Sequence, residues 1–265
     1  MDPLQPLIDT LDADGRPRVW SLVVTVFGDA VQVRGGQIAT GRLSRLLGRI
    51  GIETGALRTA LSRLSSEGWV KGRREGRTSR YTLTPEGQRQ FAPATARIYA
   101  PPRTEPVPAW VFGEGARPGA LSVAGGWLAP APVDAPGFAI TGQLSTGAAE
   151  AVWQALDPDH RVAVDRLASD LAALQALPDT PLDAAVARML LVHRWRRLVL
   201  RWPELPADLV PEGFAPRDLH RTVAERYAAL APLSERWFDE PCDDLDPLPA
   251  SSIAFARRFG SAQMP

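Results

Sequence analysis

Apolar positions change their period several times along the chain, and each change marks an element. Residues 19–31, VWSLVVTVFGDAV, are apolar nearly all round, which predicts a helix buried on most of its faces. The Gly35-Gly36 pair in VRGGQI ends it in a turn. Thr40 is placed to cap a short helix over Gly41–Leu47, which Gly48 closes. From Glu53 or Thr54 onward, Leu57, Ala60, Leu61 and Leu64 recur at helical spacing, so a helix with one apolar stripe runs up to Gly68. Its other face carries Gly55, Arg58, Thr59, Ser62 and Ser66, with Arg63 at the border. The period then drops to two. Trp69–Arg73 and Ser79–Leu83 read as strands joined by REGRT, with a tight tip at Gly76. Thr84-Pro85 is a cap followed by a proline suited to the first helical position, and that helix is expected to reach about Tyr99.

Residues 1–17, rich in Pro and Asp, read as a loose leader. Between Ala100 and Thr141 the composition shifts to Pro, Gly and Ala, with apolar pieces WVFG and GFAITG, so 100–146 is expected to be a linker and a small β-containing middle unit. Helical periodicity returns at Ala148–Leu156, Arg161–Leu177, Leu182–Arg201 and Arg217–Trp237, which makes 147–239 an all-α C-terminal domain. Residues 240–265 are a weakly specified tail.

At 265 residues, with 45% hydrophobic and 23% charged, the chain has the composition of two or three globular units. One cysteine, Cys242, and three scattered histidines supply neither a disulfide nor a metal cluster, so no metal or cofactor is expected. No basic and apolar signal segment opens the chain and no apolar run is long enough for a bilayer; a cytoplasmic protein is expected. The net charge of zero conceals an asymmetry. Residues 1–91 carry 14 Lys and Arg against 9 Asp and Glu, and Arg42–Arg80 carries 10 against 3, leaving the remainder acidic. Positive charge is therefore concentrated where a polyanion would dock.

Three helices followed by a basic hairpin are the order of a winged helix-turn-helix, spanning 18–99. The whole is expected to be α+β and mostly α, with this unit at the N-terminus. On the second helix of the pair, Thr54, Arg58, Thr59, Ser62 and Arg63 are the candidate base and phosphate contacts, because Arg grips guanine bidentately and Ser and Thr bond either base or phosphate. On the hairpin, Arg73, Arg74, Arg77 and Arg80 would add affinity for the backbone more than sequence preference. A half-site reader of this kind is expected to act as a homodimer on double-stranded DNA. The stripe Ala224, Tyr227, Ala228 and Leu230, with Leu190, Val192 and Leu198, offers apolar surface for pairing.

FGDAV, RGG, GIETGALRTALSRLSSEGW and GRTSRYTLT, in that order, resemble the PaaX family of phenylacetic acid catabolon repressors, and LVHRWRRLVLRWPELPADLVP resembles its C-terminal helix and Pro-rich exit. The resemblance covers 18–99 and 180–237. It implies a repressor of an aromatic-acid catabolic operon, such as that for phenylacetate degradation, released by an aryl-CoA thioester such as phenylacetyl-CoA. It also implies a ferredoxin-like βαββαβ module in the middle, but Trp110–Leu144 is short and rich in Gly and Pro, so the module is expected to be degenerate or to borrow the next two helices. His193, Arg194, Arg196 and Arg197 could bind the phosphates of an acyl-CoA, against the commoner alternative that the arginines pair with acids in a structural network. Trp110, Trp127 and Trp153 stand between aromatic lining and core. The alternative class is an enzyme of acyl-CoA or aromatic metabolism with a helix-turn-helix-like interaction module, but no catalytic constellation is visible and no catalytic residue is assigned.

Overall fold

The computed structural model describes residues 2–13, 15, 17–76, 78–242 and 245–260. The chain is α+β and mostly helical. The apolar helix of the sequence is α2, Val19–Val26, which continues without a break through a π turn, Phe27–Val31, and a 3₁₀ turn at Gln32–Arg34. Gly35 and Gly36, both at positive φ, then reverse the chain. Strand β1 (Gln37–Ala39) leads into α3 (Thr40–Gly48), and α4 (Thr54–Ser66) follows. The hairpin is β2 (Val70–Glu75) and β3 (Thr78–Leu83), and β1 completes a three-stranded antiparallel sheet on the far side of β3. Thr84 caps α5 (Pro85–Ile98), accepting from the Gly87 N–H at 2.9 Å. Thr40 does not cap: it is the first residue of α3, and its hydroxyl donates to the Ser79 carbonyl at 2.9 Å, fastening that helix to β3.

Two expectations at the chain ends are corrected. The leader contains α1 (Gln5–Asp12), which buries Leu4, Leu7 and Leu11. It packs on α7 (Pro158–Ala173), while Asp2 receives both Nη atoms of Arg49. Eight residues give barely two turns of periodicity, too few to stand out among prolines and aspartates. The tail likewise docks: the Ser252 N–H donates to the Val33 carbonyl at 2.8 Å, and a short helical turn, Ile253–Ala256, buries Phe255 and precedes the buried Arg258 and Phe259.

The middle unit is a four-stranded antiparallel sheet of β4 (Trp110–Glu114), β5 (Leu121–Val123), β6 (Gly126–Pro130) and β7 (Ala139–Gly142), in the order β5-β6-β4-β7. A βαββαβ module orders its strands in the same way, but here loops at 115–120 and 131–138 stand where its two helices would run. The two helices of the expected α/β module are thus absent from these loops, and what stands there is an antiparallel sheet. Of the next two helices, α6 (Ala148–Ala155) covers one face of this sheet, packing Val152 and then Leu156 with Leu121, Leu128, Leu209 and Val210. The second, α7, belongs to the main core through Val164, Leu167 and Leu171. Trp110 and Trp127 are buried on opposite faces of the sheet.

Helices α8 (Pro181–Arg201) and α9 (Leu219–Asp239) run side by side and share one continuous core with α1–α5. The apolar stripe expected to pair two chains lies inside this core: Leu190, Val192, Leu198, Ala224, Tyr227 and Leu230 are all buried. No helix of the described residues is long and apolar enough to cross a membrane.

At the centre of the core is an ion cluster. Asp29, on the π turn, accepts from the Tyr99 and Tyr227 hydroxyls at 2.8 and 2.9 Å, from Arg188 Nε at 3.0 Å and from Arg258 Nη1 at 2.9 Å. Arg188 continues to Ser234 and Glu235, and Glu235 receives Arg34, which also reaches Asp239 at 2.7 Å. Phe91 packs against the same turn from α5, where a Cβ on Gly28 would come within 2.8 Å of its ring. Burial works to raise the Asp29 pKa, but the guanidiniums of Arg188 and Arg258 and the two tyrosine hydroxyls prevail and hold it below the ordinary carboxylate value. The stability this contributes is therefore present at neutral pH and lost only as acid protonates the folded carboxylate. Asp29→Ala would leave the buried Arg258 without its counter-ion and Arg188 with Glu235 alone. We expect a loss of about 3–5 kcal/mol in urea unfolding of the full chain; a change below about 1 kcal/mol would contradict the cluster's structural role.

Candidate nucleic-acid interface

Helix α4 is held by the stripe that periodicity marked out: Leu57, Ala60, Leu61 and Leu64 are buried, and the helix packs against α2. Its outer face is open. Thr54, Gly55, Arg58, Thr59, Ser62 and Arg63 are exposed and side by side, so the structure brings the helix candidates together. They differ in freedom. Thr59 donates to the Gly55 carbonyl one turn back at 3.1 Å, and Thr54 meets Ser44 of α3 at 3.0 Å across the inter-helix turn. Arg63 is braced by Glu67 at 2.7 Å and lies over the Trp20 ring at 5.4 Å. Arg58 has no such brace among the described residues.

The hairpin projects beside this face. Its register sets Arg73 opposite Arg80 and Arg74 opposite Ser79, so Arg73 and Arg80 share one face of the ribbon. Arg73 and Arg74 are exposed, and Arg74 Nε donates to the Gly76 carbonyl at 3.2 Å. Arg80 is half-buried between Glu75 at 3.1 Å and Asp246 at 2.9 Å, so it is already neutralised by two acids. Arg77 lies outside the described residues. Between hairpin, α3 and the start of α4 is an open groove of about 480 Å³, lined by Thr40, Ser44, Thr54, Arg58, Ser79 and Tyr81. Thr40, Ser44 and Tyr81 escape a reading made element by element, because only the fold brings three separate segments to one groove. Arg42, counted with the basic segment, is fully buried: its guanidinium donates to the Trp237, Glu240 and Asp246 carbonyls. It anchors the tail and offers no charge to a ligand.

The four residues suggested for acyl-CoA phosphates are not brought together. Arg194 and Arg197 face a cleft of about 380 Å³ between α7 and α8, shared with Arg166, Arg201, Asp159 and Trp202. Arg194 is also tied to Asp170 at 2.9 Å, and Arg201 to Asp159 at 3.0 Å. His193 and Arg196 point the other way, at α2. Thr25 lies 2.9 Å from His193 Nδ1 and accepts from Arg196 Nε at 2.8 Å, and Arg196 also donates to the Ser21 carbonyl at 2.9 Å. Burial lowers the Arg196 pKa to about 10, with Arg197 adding to the shift.

A family model described as "PaaX-like protein" matches residues 18–87, and another, "PaaX-like protein C-terminal domain", matches residues 153–240. The chain belongs to the PaaX-like family. Among curated proteins it is similar to "Transcriptional repressor PaaX" of Escherichia coli (strain K12), at 27% identity over 286 residues covering 91% of this chain and 89% of that protein. Among solved structures, "Uncharacterized protein Rv0674 from Mycobacterium tuberculosis" aligns with a TM-score of 0.46 at 16% identity, over 81% of this chain and 96% of that one.

Two buried histidines make the stability sensitive to pH. Burial lowers the His160 pKa to about 4, Asp157 opposing it, where the ring stacks on Trp202 at 5.1 Å. Burial and then the arginines 196, 197 and 194 hold His193 well below the ordinary value. Below pH about 6.5 the unfolded chain takes up protons that the folded chain refuses, so stability is lost as pH falls from about 6.5 toward 4. Thermal unfolding across that range should show a falling midpoint, with a shallower fall for His160→Gln; parallel profiles for the two proteins would contradict the assignment.

Proposed function

We propose that the chain is a sequence-specific transcriptional repressor in which α3, α4 and the β2–β3 hairpin form a winged helix-turn-helix. The observation that carries this reading is the outer face of α4, a run of short polar and basic side chains left open while the opposite stripe is buried. Such a helix is slim enough for the major groove, and a basic hairpin beside it reaches the flanking phosphates. The relative named as a transcriptional repressor supports it and weighs against the enzyme alternative. Arg58 is the foremost base reader. Thr54, Thr59 and Ser62 are adaptable partners, and Arg63 is a pre-positioned phosphate contact. Arg73, Arg74, Arg77 and Arg80 are hairpin contacts, with Arg80 gaining DNA only by leaving Asp246. Two copies would grip the half-sites of a two-fold operator.

The regulated genes, on this reading, serve aromatic-acid catabolism such as phenylacetate degradation, and an aryl-CoA thioester such as phenylacetyl-CoA releases the protein from its operator. The phosphates would enter the α7–α8 cleft, a reading supported by its lining of Arg194, Arg197, Arg166 and Arg201 with the Trp202 ring. His193 and Arg196, on the other side of α8, would act instead as the link to α2, whose neighbour is α4.

Fluorescence anisotropy with duplexes from the chain's own upstream region tests the first part. Arg58→Ala should weaken operator binding by about 1–3 kcal/mol and random DNA by less. Arg74→Ala should weaken both alike and flatten the salt dependence by roughly one unit of slope. Operator affinity unchanged in Arg58→Ala would contradict the α4 assignment. For the effector, calorimetric titration with phenylacetyl-CoA should show affinity reduced at least about tenfold in Arg197→Ala. Wild-type affinity in that variant would return the cleft to a structural role.

A further inference from the structure

Five large hydrophobic side chains are exposed among the described residues, and two of them, Phe138 at 62% and Ile140 at 56%, sit together on or beside the edge strand β7. Edge strands are normally protected by a charge, a proline or a covering segment. Here no Asp, Glu, Lys or Arg occurs between Asp134 and Glu150, in a chain that is 23% charged. Ile140 lies opposite Phe112 in the register with β4, so it prolongs the apolar face of the sheet that α6 covers, out to an uncovered rim. The other face is closed by Val133, Ala135 and Ala139 against Val111, Trp127 and Ala129.

The backbone shows which occupant suits this rim. The Glu114 N–H donates to the Phe138 carbonyl at 3.4 Å, so residues 138, 140 and 142 turn their backbone groups toward β4 while Ala139 and Thr141 turn theirs outward. The segment is Phe138-Ala139-Ile140-Thr141-Gly142. Laid antiparallel on itself about Ile140, it pairs Ala139 with Thr141 of the partner subunit through reciprocal N–H to carbonyl bonds. It also sets each Phe138 over Gly142 of the partner subunit, where no side chain obstructs the ring. Small and large residues are thus complementary under a two-fold axis, and the outward hydrogen-bonding groups find partners.

We propose that β7 is the dimer interface: two copies of this chain join their four-stranded sheets edge to edge about Ile140, burying Phe138 and Ile140 of both. The proposal rests on the homodimer reading above and replaces the α8–α9 stripe, which the core has consumed.

Sedimentation of the full chain and cysteine cross-linking test it together, with the native thiol removed by Cys242→Ser. Wild type should sediment as a dimer at about 10 µM, and Ile140→Lys should raise the dimer dissociation constant on the order of 100-fold with circular dichroism unchanged. Because Ile140 faces Ile140 of the partner subunit at cross-strand distance, Ile140→Cys should oxidise to a disulfide-linked dimer. Phe138→Cys alone should not, whereas Phe138→Cys combined with Gly142→Cys should. A dimer that persists in Ile140→Lys and gives no Ile140→Cys cross-link would overturn the interface and leave the homodimer standing. A wild-type chain that stays monomeric, alone and on operator DNA, would overturn both, and β7 would then be an edge for some other protein's strand.

Discussion

A carboxylate taken out of water must meet compensating positive charge and hydrogen bonds at once, and Asp29 meets them from four places in the chain. Tyr99 ends α5, Arg188 comes from α8, Tyr227 from α9 and Arg258 from the last described turn. The π turn that carries Asp29 is continuous with the helix on which α4 rests. One buried charge therefore fixes the seating of the surface face we assign to DNA relative to the C-terminal helices. A second clasp acts nearby, where Arg42 closes on the carbonyls at 237, 240 and 246 and draws the tail across α3.

This arrangement would give the proposed regulation a physical basis. Helix α2 touches α4 on one side and α8 on the other, and Thr25 and Ser21 receive Arg196 directly. A phosphate drawn into the α7–α8 cleft would compete with Asp170 and Asp159 for Arg194 and Arg201. Any adjustment of α8 that followed would be felt at Thr25, because close-packed interiors pass on displacements that they cannot absorb.

Much of the α4 face and of the hairpin was legible from residues alone. The stripe Leu57, Ala60, Leu61 and Leu64 fixes which side of α4 is buried, and so which side is left for a ligand. Gly76 between arginines signals a basic hairpin. What stayed hidden depends on contacts far apart in sequence. Arg42, Arg80 and Arg58 look alike in a charge count, yet one is sealed under the tail, one is paired with Asp246 and one is exposed. His193 and Arg196 point away from Arg194 and Arg197 because neighbours on a helix diverge by about 100°, and a cluster in sequence became two sites. The α8–α9 stripe was correctly read as apolar, but periodicity cannot tell a surface awaiting a partner chain from one covered by its own. The same ambiguity hid the roles of the leader and the tail.

On the proposed function, the outer face of α4 and the adjoining hairpin meet DNA while the C-terminal helices do not. Hydrogen exchange of the full chain, read by mass spectrometry with and without a duplex from its own upstream region, tests this in one comparison. Exchange should slow over 54–83 on binding and stay unchanged in α7 and α9. Protection confined to 148–239, with α4 and the hairpin unaltered, would contradict it.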